Sequence, residues 1–361
     1  MSAPRQPGDA PWHGVAAEGT DPARLARAVA VAVTSGGTAR LDRALAAGSD
    51  LPAGDGRRAA TAARSWAGRG VSVALRGDPA WPLLRCGTPP PLLAWRGVPP
   101  AELLRRPAAA LVGARAATGY GRAVAAWLAE AVGAAGGVVV SGGALGIDAA
   151  AHEAAVGGGT LVVLGCGHGV AYPRAHAAPG GLFDRVVEAG GTVLSERLPD
   201  GVAHAGAVRA RNRLVAGLAD AVVVVEGGAR SGSLLTAGAA ADVGVPVMAV
   251  PGDVRRDGSV APHRLLAEGA APCTSPADLL AALGTSQPQA PQDTGRTSLA
   301  GLLPDPLLRA LADAWPRPLP VGTLVARSGL AVGPVLAALT RATVAGVLVE
   351  AAEGVRLRRA P

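Results

Sequence analysis

The chain contains no lysine. All 34 of its basic residues are arginines, set against 27 carboxylates for a net charge of +7. A guanidinium grips phosphate through paired hydrogen bonds, whereas an ammonium acts as a point charge. A pI near 10.6 raises the prospect of an acidic partner, but the charge is dispersed and does not by itself establish one. Aromatics make up only 2% of the residues, so the core must be built from Ala, Val and Leu. Three cysteines, Cys86, Cys166 and Cys273, lie far apart without a CxxC pair. That argues against a disulfide framework and a zinc site, and suits a reducing cytoplasm. The six histidines form neither HxH nor HExxH, and neither GxSxG nor GxxxxGK[ST] occurs, which disfavours metal catalysis, a hydrolase elbow and a P-loop ATPase. No apolar run reaches the ~18 residues of a membrane span, and MSAPRQPGDAPWHG lacks the apolar stretch of a secretion signal. A cytoplasmic protein with no membrane association is expected.

What is present divides the chain. Residues 1–14 are Pro/Gly-rich and expected to be disordered. Residues 15–70 carry Ala/Leu/Arg periodicity and predict a small helical, SAM-like domain. Residues 71–106 hold dense prolines and two tryptophans, and predict an extended connector packed on something larger. From 107 to 280, short Val-rich runs alternate with glycine turns and helices: AAALV, GVVV, TLVVL, GTVLSE, AVVVVE, PVMAV. This texture predicts an α/β fold, a doubly wound, Rossmann-like and mostly parallel sheet covered on both faces. Residues 281–303 are polar and read as a linker. Residues 304–361 predict a helix, a helix–turn–helix with Gly329 in the turn and a hairpin through Glu353-Gly354, the outline of a winged helix.

Three motifs carry the chemistry. SGGALGID, Ser141–Asp148, follows a strand and lets backbone approach an anion at Ser141, Gly142 and Gly143. RARNRLVAGLAD, Arg209–Asp220, puts Arg209 and Arg213 on one helical face and Arg211 on another. One of these arginines is free to take phosphate while Arg213 is a candidate for a structural ion pair with Glu196 or Glu226. EGGARSGSLLTAG, from Glu226, offers Ser231 and Gly232 as anion donors ahead of a helix opening near Thr236. Glu226 has no second carboxylate at matching position, so structural pairing suits it better than acid–base work. Arg115, in GARAATGYG just past the first parallel strand, points to the ligand crevice of such sheets. A nicotinamide or flavin is disfavoured: GxGxxG is missing, as is an acid about 20 residues on for the ribose. No cofactor is expected.

In order, GDPAWPLL, PPLLAWRG, VGARAATGYG, SGGALGIDAAAH, VLGCGHGVAYPRAH, RARNRLVAGLAD, VVEGGARSGSLLTAGAAADVG, VPVMAVPGD and LLAEGA resemble the DNA-processing protein A (DprA/Smf) family over roughly residues 70–280. The resemblance implies a cytosolic protein without catalytic turnover. It would bind and protect incoming single-stranded DNA, load the RecA recombinase onto it during natural transformation, and dimerise through the Rossmann-like domain. Carried over by motif position, Arg115, the Ser141–Gly143 turn, Arg174 and Arg211 are the expected phosphate contacts. Four departures are visible: Leu145 replaces an arginine, His176 and His263 replace asparagines, and Val208-Arg209 replaces Phe-Pro. The alternative is a nucleotide-processing enzyme similar to the lysine-decarboxylase-like phosphoribohydrolases, whose PGGxGTxxE signature EGGARSGSLLTAG matches only in part.

Overall fold

Along each parallel strand, alternate residues enter different cores, and this fixes the architecture. The computed structural model describes residues 10–35, 38–46, 54–285, 303–314, 317–344, 348–351 and 353–357. They fall into two compact units divided after Pro288. In the first, helices α1 (Ala10–His13), α2 (Pro22–Thr34), α3 (Ala39–Ala46) and α4 (Gly56–Ala67) precede strands β1 (Ser72–Leu75) and β2 (Leu92–Gly97) and a short α5 (Pro100–Leu103). Then follow β3 (Ala108–Val112), α6 (Gly119–Ala134), β4 (Val138–Ser141), α7 (Ile147–Ala155), β5 (Thr160–Val163), α8 (Arg174–Ala177), α9 (Leu182–Glu188) and β6 (Thr192–Ser195). The unit closes with α10 (Ala205–Gly217), β7 (Ala221–Val224), α11 (Gly232–Asp242), β8 (Val247–Ala249), α12 (Val260–Ala267), β9 (Ala271–Pro272) and α13 (Pro276–Ala282).

The strands form one sheet in the order β1-β2-β6-β5-β4-β3-β7-β8-β9. From β6 to β9 every pairing is parallel. Ala108, Ala110, Val112, Val222 and Val224 pack with Leu214, Val215 and Ala237 of α10 and α11 on one face. Ala109, Leu111, Val139 and Val223 pack with Leu128, Val132 and Ala151 of α6 and α7 on the other. Both faces are buried, as a doubly wound Rossmann-like fold requires. After β3 the chain builds outward through β4, β5 and β6, then returns to add β7 on the opposite side. The switch point, where such sheets place ligands, is therefore between β3 and its neighbours.

The first boundaries differ from those expected. Ala10–His13 is helical, and Trp12 is 3% exposed within the N-terminal core, so order begins before residue 15; residues 1–9 lie outside the described residues. The expected connector over 71–106 contributes two antiparallel strands to the sheet, β1 on β2 and β2 on β6. Prolines 79, 82, 89, 90 and 91 all fall between these strands, so the ladder loses no donor. The helical bundle shares its core with this edge: Leu25, Val29, Ala63 and Trp66 pack with Val73, Leu75, Leu92 and Ala94. Its helices are capped by Asp21, which accepts from Ala23 N, and Asp55, which accepts from Arg58 N, both at 3.0 Å. At the other end α13 reaches Ala282, past the expected start of the linker at 281; residues 286–302 lie outside the described residues.

In the second unit, helices Asp305–Asp313, Val321–Ser328 and Val332–Val344 precede a hairpin of Leu348–Ala351 and Gly354–Leu357. Gly329 closes the middle helix in the left-handed conformation at φ 65°, which glycine adopts without a Cβ penalty. Leu319 and Val355 exchange backbone bonds at 2.9 Å, adding a bridge to the hairpin. The order is compatible with a winged helix. No single helix among the described residues is long and apolar enough to cross a membrane.

Candidate nucleic-acid interface

The glycines of SGGALGID have identifiable neighbours. A Cβ on Gly142 would overlap the Arg211 guanidinium, so this side chain of α10 lies directly against the Gly142 backbone. Gly143, at φ 66°, backs onto Val162 and Phe183, and its carbonyl is 2.9 Å from His176 Nδ1. Gly146, at φ 82°, sits against the carbonyls of Ala114 and Arg115, joining the loop after β4 to the loop after β3. Residues at 142, 143 and 146 must therefore be glycine for close approach, and the last two also for their backbone angles.

Arg211 is 5% exposed, and its Nε has no hydrogen-bond partner. Burial lowers its pKa; the opposing charge of Asp148 raises it, and the like charge of Arg115 lowers it further. Asp148 is likewise buried, which pushes its carboxyl pKa up against the pull of Arg211 and of the hydrogen bond from Ala144 N at 3.3 Å. Arg115 is exposed, and its Nη1 lies 3.3 Å from the hydroxyl of Tyr172, itself 38% exposed. Arg174, two residues past Tyr172, opens α8 and is exposed, with no salt bridge among the described residues. The ends of β3, β4 and β5, together with α10, thus gather Arg115, Gly142, Gly143, Tyr172 and Arg211, with Arg174 close along the chain.

Three consecutive residues of α10 serve three purposes. Arg211 faces Gly142. Asn212 Nδ2 donates to Gly232 O at 3.1 Å, holding the start of α11. Arg213 donates to both oxygens of Glu196, at 2.8 and 2.6 Å, and its Nε to Thr88 O at 3.0 Å. Burial works to lower the Arg213 pKa, but the Glu196 hydrogen bond and charge outweigh it and raise the value.

Several expected site residues sit differently. Ser141 is fully buried and donates its hydroxyl to Leu111 O at 2.6 Å, so it braces β3 against β4 and presents no hydroxyl to a ligand. The helix expected near Thr236 begins at Gly232. Ser231 is therefore its N-cap, accepting from Ser233 N at 3.3 Å, while Gly232 is exposed beside it. Glu226 has no ion-pair partner among the described residues. It accepts instead from Thr118 N at 2.9 Å and Thr118 Oγ1 at 2.5 Å, fixing the N-cap of α6. Phe183 is 3% exposed and packs edge-on to His176, whereas Tyr172 is accessible. Asp148 and Arg230 were not singled out in the sequence. Asp148 closes the same glycine motif, and Arg230 is exposed immediately before Ser231. Among the described residues no cluster of His, Cys, Asp and Glu is arranged to hold a metal.

Comparison with known proteins identifies the family. The family model described as DNA recombination-mediator protein A matches residues 72–284. A putative DNA processing protein DprA of Mycobacterium tuberculosis is 42% identical over 234 residues, covering 60% of this chain and 58% of that protein. The chain therefore spans less than two thirds of that relative's length. Protein Smf of Escherichia coli is 36% identical over 257 residues, 70% of this chain and 68% of that protein. The X-ray structure of DNA processing protein A from Streptococcus pneumoniae aligns at TM-score 0.56 and 28% identity, covering 72% of this chain and 95% of that one. The corresponding Helicobacter pylori protein, solved for its single-stranded DNA binding mode, aligns at 0.52 and 28%, covering 59% and 95%.

Proposed function

The chain belongs to the DNA recombination-mediator protein A (DprA/Smf) family, and from that premise we propose that it binds single-stranded DNA at the carboxyl ends of β3, β4 and β5. The observation that carries this reading is Arg211. A buried guanidinium with an unpartnered Nε is costly unless an anion completes it. Its guanidinium lies directly against the Gly142 backbone, which puts the cation and the glycine turn at one place in the fold. Arg115 and Arg174 add charge at the exposed rim, and Gly232 and Arg230 continue it toward α11.

Phosphate contacts give affinity without sequence preference and a steep dependence on salt. With few aromatic rings exposed among the described residues, Tyr172 and Tyr120 among them, backbone contacts supply most of the affinity. In this reading the protein is a cytoplasmic homodimer that protects incoming DNA and loads the RecA recombinase during natural transformation. It does so by binding, without turnover.

A comparison of single- and double-stranded oligonucleotides at two salt concentrations tests the proposal. Wild type should prefer the single strand. Arg115→Ala and Arg211→Ala should each weaken binding for any sequence and reduce the salt slope by about one unit or less. An unchanged slope in both variants discards this assignment. Release of free base from nucleoside monophosphates would favour the phosphoribohydrolase alternative.

A further inference from the structure

The N-terminal bundle carries cations that the sheet-end site does not use. Between Asp55 and Asp78 the chain has Arg57, Arg58, Arg64, Arg69 and Arg76 and no carboxylate. Asp42 pairs with Arg76 at 2.8 Å; the other four lie on or just past α4 without a salt bridge among the described residues. Arg64 donates to Thr61 Oγ1 at 3.1 Å and Arg69 to Ser65 Oγ at 3.0 Å, so the hydroxyl face of this helix is cationic as well.

That face borders a cavity of about 440 Å³, closed on its far side by the segment following β6. Arg58, Thr61 and Ser65 line it from α4, and Arg197, Pro199 and Asp200 from the opposite wall. Asp200 is its single carboxylate. Leu198 packs on the bundle core, and Ser195 Oγ accepts from Arg197 N at 3.0 Å, so the wall is anchored at both points. Arg197 Nε is buried and has no partner. Arg211 and Arg197 share this feature, and each stands at one end of the same loop.

That loop is GCGHG, Gly165–Gly169. A Cβ on Gly165 would meet Val208 of α10 at 2.9 Å, and one on Gly169 would meet Pro199 O at 2.7 Å and Ser65 Oγ at 3.8 Å. The loop thus runs from the helix that carries Arg211 to the helix that carries Arg58. His168 fixes it to β2 by donating from Nε2 to Ala94 O at 3.0 Å. Cys166, within the loop, has its thiol pKa pushed up by burial and pulled back by the charges of both Arg197 and Arg211.

We propose that the cleft between α4 and residues 197–202 is a second backbone-phosphate site, held by Arg58 and Arg197, which takes the same strand as it leaves Arg211. The helical bundle then extends the DNA path rather than serving only as an accessory fold. This inference rests on strand binding at the sheet end.

Oligonucleotides of about 5 and about 15 nucleotides, near the two ends of the range of single-strand site sizes, separate the two sites. Arg58 is exposed, so its replacement leaves the fold intact. Arg58→Ala should weaken the long strand about threefold to fivefold, lower its salt slope by about one unit or less, and leave the short strand unchanged. Arg58→Glu should do more, and Arg197→Ala should follow Arg58→Ala. Arg115→Ala should weaken both lengths. If Arg115→Ala acts while the Arg58 and Arg197 variants bind both lengths as wild type does, the second site is discarded and the sheet-end site stands. Equal losses at both lengths in Arg58→Ala also overturn it. If Arg115→Ala and Arg211→Ala change nothing at either length, the underlying reading fails. A deoxynucleoside monophosphate that raises the melting temperature of wild type but not of Arg58→Glu would mark a mononucleotide site instead.

Discussion

The two flanks of α10 hold arginines two residues apart in opposite circumstances. On one flank Arg213 is spoken for: two bonds to Glu196 and one to Thr88 O tie α10 to β6 and to the chain preceding β2. On the other, Arg211 lies buried against bare glycine backbone with its Nε unpartnered and with the charge of Asp148 opposing its own. Successive residues on a helix turn by about 100°, so i and i+2 point to nearly opposite sides. The same residue type thus serves as a structural tie on one side and stands without a hydrogen bond to its Nε on the other. What separates them is contact: Arg213 closes a salt bridge on Glu196, whereas Arg211 closes none among the described residues and feels Asp148 only as a nearby charge.

The contrast breaks most sharply at Gly142. Gly142→Ala forces the Arg211 guanidinium away without altering its charge. It should cost about 2–3 kcal/mol of single-strand binding, roughly thirtyfold to over a hundredfold. The double variant Gly142→Ala/Arg211→Ala should bind no worse than either single one, because both remove the same contact. Fluorescence anisotropy with a labelled oligonucleotide reads this directly, and additive losses would show that Gly142 acts by another route.

Arg213→Ala tests the opposite flank. It leaves Glu196, whose side chain is 15% exposed, without its partner, at a cost of about 2 kcal/mol in stability. Denaturant titration should show that loss while the salt slope of DNA binding stays at the wild-type value. A changed slope would place Arg213 among the DNA contacts.

The smallest effect concerns the histidines behind the loops. Burial is the main cause lowering His152 to about 3 and His168 to about 4. Both are neutral in the fold, whereas the unfolded chain protonates them near 6.5. Their contribution is fully present above pH 6.5 and is lost as pH falls toward the folded values. Between pH 7 and 5.5 each should remove about 1 kcal/mol. Melting curves of His152→Gln/His168→Gln should be flatter than wild type over that interval; an equal slope would assign the pH dependence to other groups.

Much of the fold was legible locally. Val-rich runs closed by glycine and followed by helices predicted the doubly wound sheet because strand and helix periodicities are local properties. Strands β1 and β2 were hidden by their prolines, since nothing in the sequence tells whether a proline falls inside a ladder or between two strands. Ser141 was legible as part of a phosphate-like turn but not as a buried brace, because a hydroxyl's direction depends on the neighbouring strand. Glu226 was legible as a pairing residue, but its partner proved to be Thr118 rather than an arginine.

By itself the sequence determined the parallel sheet, the glycine turns at its carboxyl end, an all-arginine basic complement and the family. Only the tertiary structure decided which arginine is satisfied. Arg211 meets Gly142 across 69 positions of chain, and Arg197 reaches a cleft whose other wall is α4. Burial and pairing are properties of the surroundings brought together by the fold, and no local pattern encodes them.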